Sequence, residues 1–331
     1  MKINYQARLR CFSQWYFYGC LSLCLLVTSL PYWPSNQLFT IPKYALLFGP
    51  RWWLLLAVIV LVFFWRQLSK KQLSVSILLL LLSLNYLDFQ LPKLGEYFIG
   101  NDDNADVTIL SANIGGGGSK TGLNFLAKNI QPDLILLQEA RRLDLSSNFT
   151  DYPFADCVSG LCILSKYPFK QIKKLDRKLF GGWGSFAVFY SVETEAGAVS
   201  LANVHFETPR SVLMGLIHRT FDFQLANSIE SKRKFQAELV SLWSENKNHT
   251  LIVGDFNMPV DENIYQDNFS KLNNAIDTKG FAFNDTKHTF WHGIRIDHVL
   301  YSDDFQLLDV EVVNSLSGDH RPVLTRLKIQ H

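Results

Sequence analysis

Six apolar runs in this chain end in, or run into, a side chain that can hold a cation, a proton or a phosphate. Asn113 closes VTILSAN, Glu139 follows DLILLQ, and His205 closes SLANVH. Asp255 and Asn257 end LIVGDFN, Asp297 and His298 interrupt RIDHVLYS, and Asp319 with His320 stands just before PVLTRL. A single Asp after a strand is an ordinary turn or cap residue. Six placements drawn only from Asn, Asp, Glu and His are not explained by turns. Glu139 with Asn113, Asp255 or Asp319 offers the hard oxygen donors that Mg²⁺ or Mn²⁺ takes. No thiolate belongs to the set, which disfavours structural zinc. Carboxylates and histidines around a hard cation suit hydrolysis of a phosphate ester. The cation neutralises phosphoryl oxygens, a base activates water, and an imidazolium stabilises developing charge. An Asp that holds a His imidazole fixes its tautomer and raises its pKa.

Such side chains need strands behind them. Val107–Asn113 and Asp133–Gln138 read as buried strands on either side of a short helix over Leu123–Ile130, stopped by Pro132. Gly160–Ser165, Ser185–Val192, Ala198–Val204, Thr250–Val253, Ile296–Tyr301 and Pro322–Leu327 read as further strands. Ser228–Trp243 reads as a helix, with Ile229, Phe235, Leu239, Leu242 and Trp243 on its apolar side. This alternation predicts an α+β domain of packed sheets covered by helices. The GGGGSKT run at Gly115–Thr121 is not a P-loop, because Ser119 stands where a glycine must precede the lysine. It reads as a flexible loop beside the site.

LSANI, LLQEA, NVHFE, GDFNMP, RIDHVL and GDHRPV, in this order, resemble the endonuclease/exonuclease/phosphatase superfamily over about residues 105–331. The resemblance implies a four-layered α/β/β/α sandwich and a Mg²⁺-dependent phosphoesterase, with Mn²⁺ as a substitute. It also implies roles. Glu139 is the principal metal ligand, with Asn113 and Asp319 close by. Asp255 orients or deprotonates the attacking water, and Asn257 holds the phosphate. Asp297 pairs with His320 beside the scissile phosphate, and His205 is a second phosphate-contacting histidine. Two departures stand out: Gly318 replaces the usual serine before Asp-His, and CVSGLCILSKYP offers no carboxylate to pair with His205.

The first hundred residues are a different physical object. They hold nine Lys/Arg and two acids, whereas residues 101–331 hold 23 Lys/Arg and 28 acids. Apolar stretches over about 12–32, 44–65 and 73–89 read as three transmembrane helices within an anchor, 1–94, joined by a linker, 95–104, to a catalytic domain, 105–331. Arg51 and Arg66 flank the second stretch and can snorkel. Lys2, Arg8 and Arg10 before the first stretch, and Arg66, Lys70 and Lys71 before the third, place the N-terminus in the cytoplasm and the catalytic domain outside. Three spans with such a domain resemble a bacterial inner-membrane subgroup that includes a phosphatase type linked to glycopeptide-antibiotic resistance. Cys157 and Cys162 can meet across a hairpin, in a disulfide or as two free thiols.

With 48% hydrophobic residues among 331, a disordered chain is excluded. A net charge of +2 makes no case for a nucleic-acid coat. The favoured substrate is a lipid-linked phosphate or pyrophosphate, met by a rim drawn from Leu179–Phe189 and Pro209–Phe223. A tethered nuclease is the alternative. The acidic balance of the outer domain argues against it, and Lys170, Lys173, Lys174, Arg177 and Lys178 with Lys232, Arg233 and Lys234 argue for it. A non-catalytic binding module is disfavoured by the complete set of acids and histidines.

Overall fold

A computed structural model describes residues 2–93, 105–115, 120–141, 149–314 and 317–330. The expected linker and the loop Gly116–Ser119 lie outside the described residues. Four helices come first: α1 (Lys2–Thr28), α2 (Gln37–Phe48), α3 (Trp52–Val60, continued as a 3-10 turn to Phe64) and α4 (Lys70–Tyr86). Then come β1 (Phe89–Gln90), β2 (Val107–Asn113), α5 (Lys120–Ile130), β3 (Leu134–Gln138), β4 (Phe154–Val158), β5 (Leu161–Ser165) and β6 (Phe169–Asp176). β7 (Ser185–Thr194), β8 (Gly197–His205), α6 (Arg210–Ile217), α7 (Phe223–Ser244), β9 (Thr250–Asp255), α8 (Asn263–Phe269), β10 (Asn273–Asn274) and α9 (Ala275–Lys279) follow. The chain ends with β11 (Ala282–Phe283), β12 (Lys287–His288), β13 (Gly293–Ile294), β14 (Asp297–Tyr301), β15 (Phe305–Val312) and β16 (Val323–Ile329).

Two six-stranded sheets run in the orders β10-β14-β9-β8-β7-β6 and β15-β16-β2-β3-β5-β4. β2 runs parallel to β3 and β8 parallel to β9, and the other neighbours are antiparallel. The expected strands are all present, and their near-continuous apolar runs have a physical cause. Ile109, Leu134, Leu136 and Ile163 of one sheet meet Val188, Leu201, Val253 and Val299 of the other in a shared core. The alternate residues face helices: Leu110, Ile135 and Leu137 pack on α5, and Phe189, Val204 and Ile252 on α7 and α8. Strands buried on both faces lose the polar alternation of half-exposed ones. The outcome is two mixed sheets flanked by helices, as expected. Cys157 and Cys162 face each other across β4 and β5 and form a disulfide.

α7 corrects the sequence reading. Its buried face is Ala226, Ile229, Glu230, Arg233, Gln236, Ala237 and Val240, whereas Phe235 and Leu242 point to solvent. Two buried charges disguised the true stripe.

The three expected spans also need correction. Only the first, α1, is long and apolar enough to cross a membrane by itself, over Tyr5–Thr28. The second, about 44–65, is broken: Gly49-Pro50 separates α2 from α3, and the two helices meet at 75°. A Cβ on Gly49 would fall 2.3 Å from the Ala45 carbonyl oxygen, so only glycine closes this corner. The third, about 73–89, is the 17-residue α4, short of the roughly 20 residues a span needs. α1, α3 and α4 pack together through Tyr16 Oη on the Ala57 carbonyl and a Gln14–Gln72 pair. α2 instead lies against α6 and α7. Arg51 does not snorkel: its guanidinium is buried on the Leu47 and Tyr86 carbonyls and bridges Asp261 at 2.9 Å.

Candidate active site

Strand register assembles the site. His205, at the end of β8, pairs with Asp255, at the end of β9, and Asp255 pairs in turn with Asp297, at the start of β14. Three side chains from distant segments therefore stand at one level of one sheet. On the facing sheet Asn113 pairs with Gln138, and Glu139 follows in a left-handed conformation, φ 57°. Gly254, at φ 140°, lets the GDFN turn form, since a Cβ there would meet the Val204 carbonyl oxygen at 2.1 Å.

Asn113 joins the two sheets. Its Nδ2 donates to Asp255 Oδ2 at 2.9 Å and to Glu139 Oε1 at 3.2 Å, and its Oδ1 accepts from Gly115 N at 2.9 Å. His205 Nε2 lies 3.7 Å from both Glu139 Oε1 and Asp255 Oδ2. Asp255 Oδ1 accepts from the Asn257 amide at 2.8 Å. Asn257 is itself left-handed, φ 51°, and its Nδ2 donates to the Phe206 carbonyl at 3.1 Å, leaving one amide hydrogen free of that bond. His320 Nδ1 meets both oxygens of Asp297, at 2.9 and 3.1 Å, while its Nε2 lies 3.9 Å from Asp255 Oδ2.

The charges follow from this geometry. Burial works against the His320 imidazolium, but Asp297 on Nδ1 and Asp255 beyond Nε2 overcome it and push the pKa up to about 9. Burial, with Asp297 nearby, raises Asp255 above the usual carboxylate range. His205 is driven the other way, to about 4, by burial against the pull of Asp255, with Arg177 adding to the depression. One histidine is thus an acid at neutral pH and the other a neutral ring.

Two residues missed by the sequence reading complete the site. Lys287 Nζ sits 2.7 Å from Asp319 Oδ2 and 2.8 Å from His320 Nε2. With both groups charged neither nitrogen has a lone pair to accept with, so this contact sets two positive charges side by side and Lys287 opposes the His320 charge. Burial would raise Asp319, but the Lys287 ammonium more than offsets it and lowers the carboxyl. Thr286 Oγ1 accepts the Ile296 and Asp297 amides, each at 3.0 Å, and fixes the start of β14. Both come from the β12–β13 hairpin, whose short strands carry no periodic signal. Arg177 Nη2 donates to the His205 carbonyl at 2.5 Å.

The donor set fits a hard divalent cation. Glu139, Asp255 and Asp319 supply oxygen only, and Gly115 leaves the Glu139 carboxylate room that a Cβ, 2.0 Å from its Oε2, would fill, whereas Asn113 turns its Nδ2 to the Glu139 and Asp255 carboxylates and braces them. Asp255, Asp297 and His320 also bring one ligand atom each within 4.8 Å of one another. That trio is better described as a proton-holding relay, because Asp297 is already committed to His320 Nδ1.

His298 belongs to the core. Its Nε2 donates to the Met258 carbonyl at 2.9 Å, and its Nδ1 accepts from Asn274 Nδ2 at 3.1 Å. Burial, with Arg295 adding to it, depresses the pKa from 6.5 to about 3. The unfolded state therefore binds the proton first. The stabilisation is present above about pH 6.5 and is lost as pH falls from there towards 3. We expect the melting temperature to drop between pH 7 and 5, and His298→Asn to flatten that slope in thermal unfolding; an unchanged slope contradicts the assignment.

The sequence profile described as the Endonuclease/Exonuclease/phosphatase family matches residues 110–320. Among solved structures, an endonuclease/exonuclease/phosphatase from Beutenbergia cavernae is 14% identical with a TM-score of 0.50, covering 69% of this chain and 72% of its own. A 3′ phosphatase from Neisseria, solved with a product DNA hairpin, is 17% identical with a TM-score of 0.48, covering 67% and 99%. A mannosyl-6-phosphatase from Bacteroides thetaiotaomicron is 15% identical with a TM-score of 0.45, covering 67% and 99%. No curated protein matches significantly. The profile takes in every strand-end residue described above, from Asn113 to His320, and the chain belongs to the endonuclease/exonuclease/phosphatase family of metal-dependent phosphoric ester hydrolases.

Proposed function

We propose that the chain is a membrane-anchored, Mg²⁺-dependent phosphoesterase whose substrate is a lipid-linked phosphate or pyrophosphate. The observation that carries the hydrolytic part is the meeting of Asp255, Asn257 and the Asp297–His320 pair at one set of strand ends. Glu139, with Asn113 and Asp319 beside it, would hold a divalent cation, which would supply neutralisation of charge on the phosphoryl group. Asn113 clamps the Glu139 and Asp255 carboxylates. Asp255 orients a water and takes its proton. The free amide hydrogen of Asn257 reaches a phosphoryl oxygen. Asp297 keeps His320 charged and aimed, so that its Nε2–H, with the Lys287 ammonium, stabilises the oxygens that gain charge. His205 contacts the phosphate as a neutral donor.

The membrane part is supported by α1 and by the apolar side chains that α1, α3 and α4 turn outward: Trp15, Leu25, Leu56, Phe63, Ile77 and Leu81 are exposed. The charge pattern of the connecting segments supports a cytoplasmic N-terminus and an extracytoplasmic catalytic domain at a bacterial inner membrane. A lipid substrate is supported by apolar tips near those helices. Phe290 and Trp291 crown the β12–β13 hairpin at 91% and 72% exposure, and the Trp52 indole donates to the Trp291 carbonyl at 3.3 Å. Ile217 and Phe221, within the expected rim, are exposed as well. The lysines that favoured a nuclease have another account. Lys170, Lys173 and Lys174 lie exposed on β6, an edge strand, where lysine prevents edge-to-edge pairing.

The test uses the full chain in phospholipid nanodiscs with Mg²⁺, with EDTA as control. We expect phosphate release from polyprenyl pyrophosphate or phospholipid and no nicking of supercoiled plasmid. Metal-dependent nicking without lipid turnover would replace this reading with that of a tethered nuclease.

A further inference from the structure

The most deeply buried charges of the outer domain are not at the strand ends. They lie beneath the GDFN turn, and part of their partner set comes from the N-terminal helices. Glu230 and Arg233 sit on the core face of α7, and Glu262 immediately precedes α8; their side chains are at most 1% exposed. Lys43 and Tyr44 of α2 are equally buried. The Lys43 ammonium bonds Glu230 Oε1 and donates to Asn263 Oδ1 at 2.8 Å. Tyr44 Oη donates to Glu230 Oε2 at 2.6 Å and accepts from Arg233 Nη1 at 2.8 Å. The Arg233 guanidinium lies against the rings of Tyr44 and Phe48, 5.2 and 5.6 Å from their centroids. It holds both oxygens of Glu262, and its Nη2 donates to the backbone carbonyl of Asn257 at 2.6 Å.

Two carboxylates and two cations make this cluster neutral only while α2 is seated. Burial would raise Glu230, but Lys43 and Arg233 more than offset it and hold it below the usual carboxylate range. Arg233 already stands 3.9 Å from Glu230 Oε2. Without Lys43, an unpaired buried Glu230 would draw the guanidinium towards itself and away from Asn257. Asn257 is the left-handed residue of the turn, and its backbone is fixed by two bonds: N–H to Asp255 and C=O from Arg233.

We propose that α2 is a positioning element of the active site: Lys43 and Tyr44 lock Arg233 onto the Asn257 carbonyl, so the turn Asp255–Met258 takes its working geometry only when the N-terminal helices are docked. The kinetic consequence rests on Asn257 and Asp255 acting as proposed above; the conformational claim does not. Anchor and hydrolase are then one machine, and a displacement of α2 reaches the phosphate through one guanidinium.

The test compares the full chain in nanodiscs with Lys43→Met, Tyr44→Phe and the charge-balanced Lys43→Met/Glu230→Gln. Two readouts are hydrogen exchange over residues 254–262 and turnover of bis(4-nitrophenyl) phosphate. Lys43→Met should speed exchange at the Asn257 amide and lower kcat, each about tenfold or more, since a displacement of about 1 Å can cost up to 100-fold. The double variant should bring both back to within about threefold, because no buried charge is left unpaired. Tyr44→Phe should fall between. Recovery in the double variant separates positioning from a simple packing loss, which Glu230→Gln would not repair. Unchanged exchange and kcat in folded Lys43→Met overturn the proposal. If that variant does not fold, a folded double variant with fast exchange at Asn257 overturns it instead. Should the parent turn over no phosphate ester, the functional reading fails and the exchange data decide the positioning claim alone.

Discussion

Asp255→Asn and His320→Asn should each lower kcat by about 10²–10⁴-fold, the range that a positioned acid or base contributes. Both substitutions are chosen to spare the fold. Asparagine at 255 keeps an oxygen for the Asn257 amide, now at 2.8 Å from Oδ1, and removes a buried charge. Asparagine at 320 keeps an N–H where Nδ1 meets Asp297 and deletes only the Nε2 end. The check is steady-state turnover of bis(4-nitrophenyl) phosphate by full-length variants whose melting temperatures stay near the parent's. A folded variant within tenfold of the parent would remove that residue from the chemistry. Losing both groups together should cost little more than losing either, because they serve one transition state.

The second large effect concerns where the enzyme ends. Residues 105–331, cut free of the N-terminal helices, should fail to form a cooperative, monodisperse fold. Excision leaves Glu230 without Lys43 and Tyr44, and Arg295 without Asp88, which it holds at 2.6 and 2.7 Å. Arg295 is 1% exposed. Breaking a buried pair costs about 3–5 kcal/mol. Arg295 keeps Asp277 at 2.6 Å and so loses less than Glu230, yet the two losses together are a large share of the whole stability of a domain, about 5–15 kcal/mol. Excision also uncovers Val212, Ala226 and Ile229, which pack in one cluster with α2. Size-exclusion chromatography and thermal circular dichroism decide the matter. A monomeric fragment with a sharp melt would show that residues 105–331 close their core alone.

The same contacts explain what could be read from the linear chain and what could not. Strands β2, β3, β8, β9 and β14 were legible because each is an apolar run of strand length, ended by a turn residue, and that pattern is local. The polar residues at their ends were legible for a related reason: a side chain that an apolar strand delivers to an edge has no core to join. The sequence also carried the family, through short motifs in a fixed order, and the acidic balance of residues 101–331. Register was not legible. That His205, Asp255 and Asp297 stand level follows from the pairing of His205 with Asp255, 50 residues on, and of Asp255 with Asp297, 42 further, which no local pattern encodes. Lys287 escaped because two-residue strands leave no period, so its place between Asp319 and His320 exists only in three dimensions. Arg233 and Arg51 were misplaced, and Glu230 and Lys43 passed over, for one physical reason. A charge in a linear sequence reads as solvated, whereas a buried charge is stable only beside its opposite, and here the opposites come from the other part of the chain. Composition divided the protein into a basic, apolar N-terminal part and an acidic catalytic part; the pairing of those charges made them one folded unit.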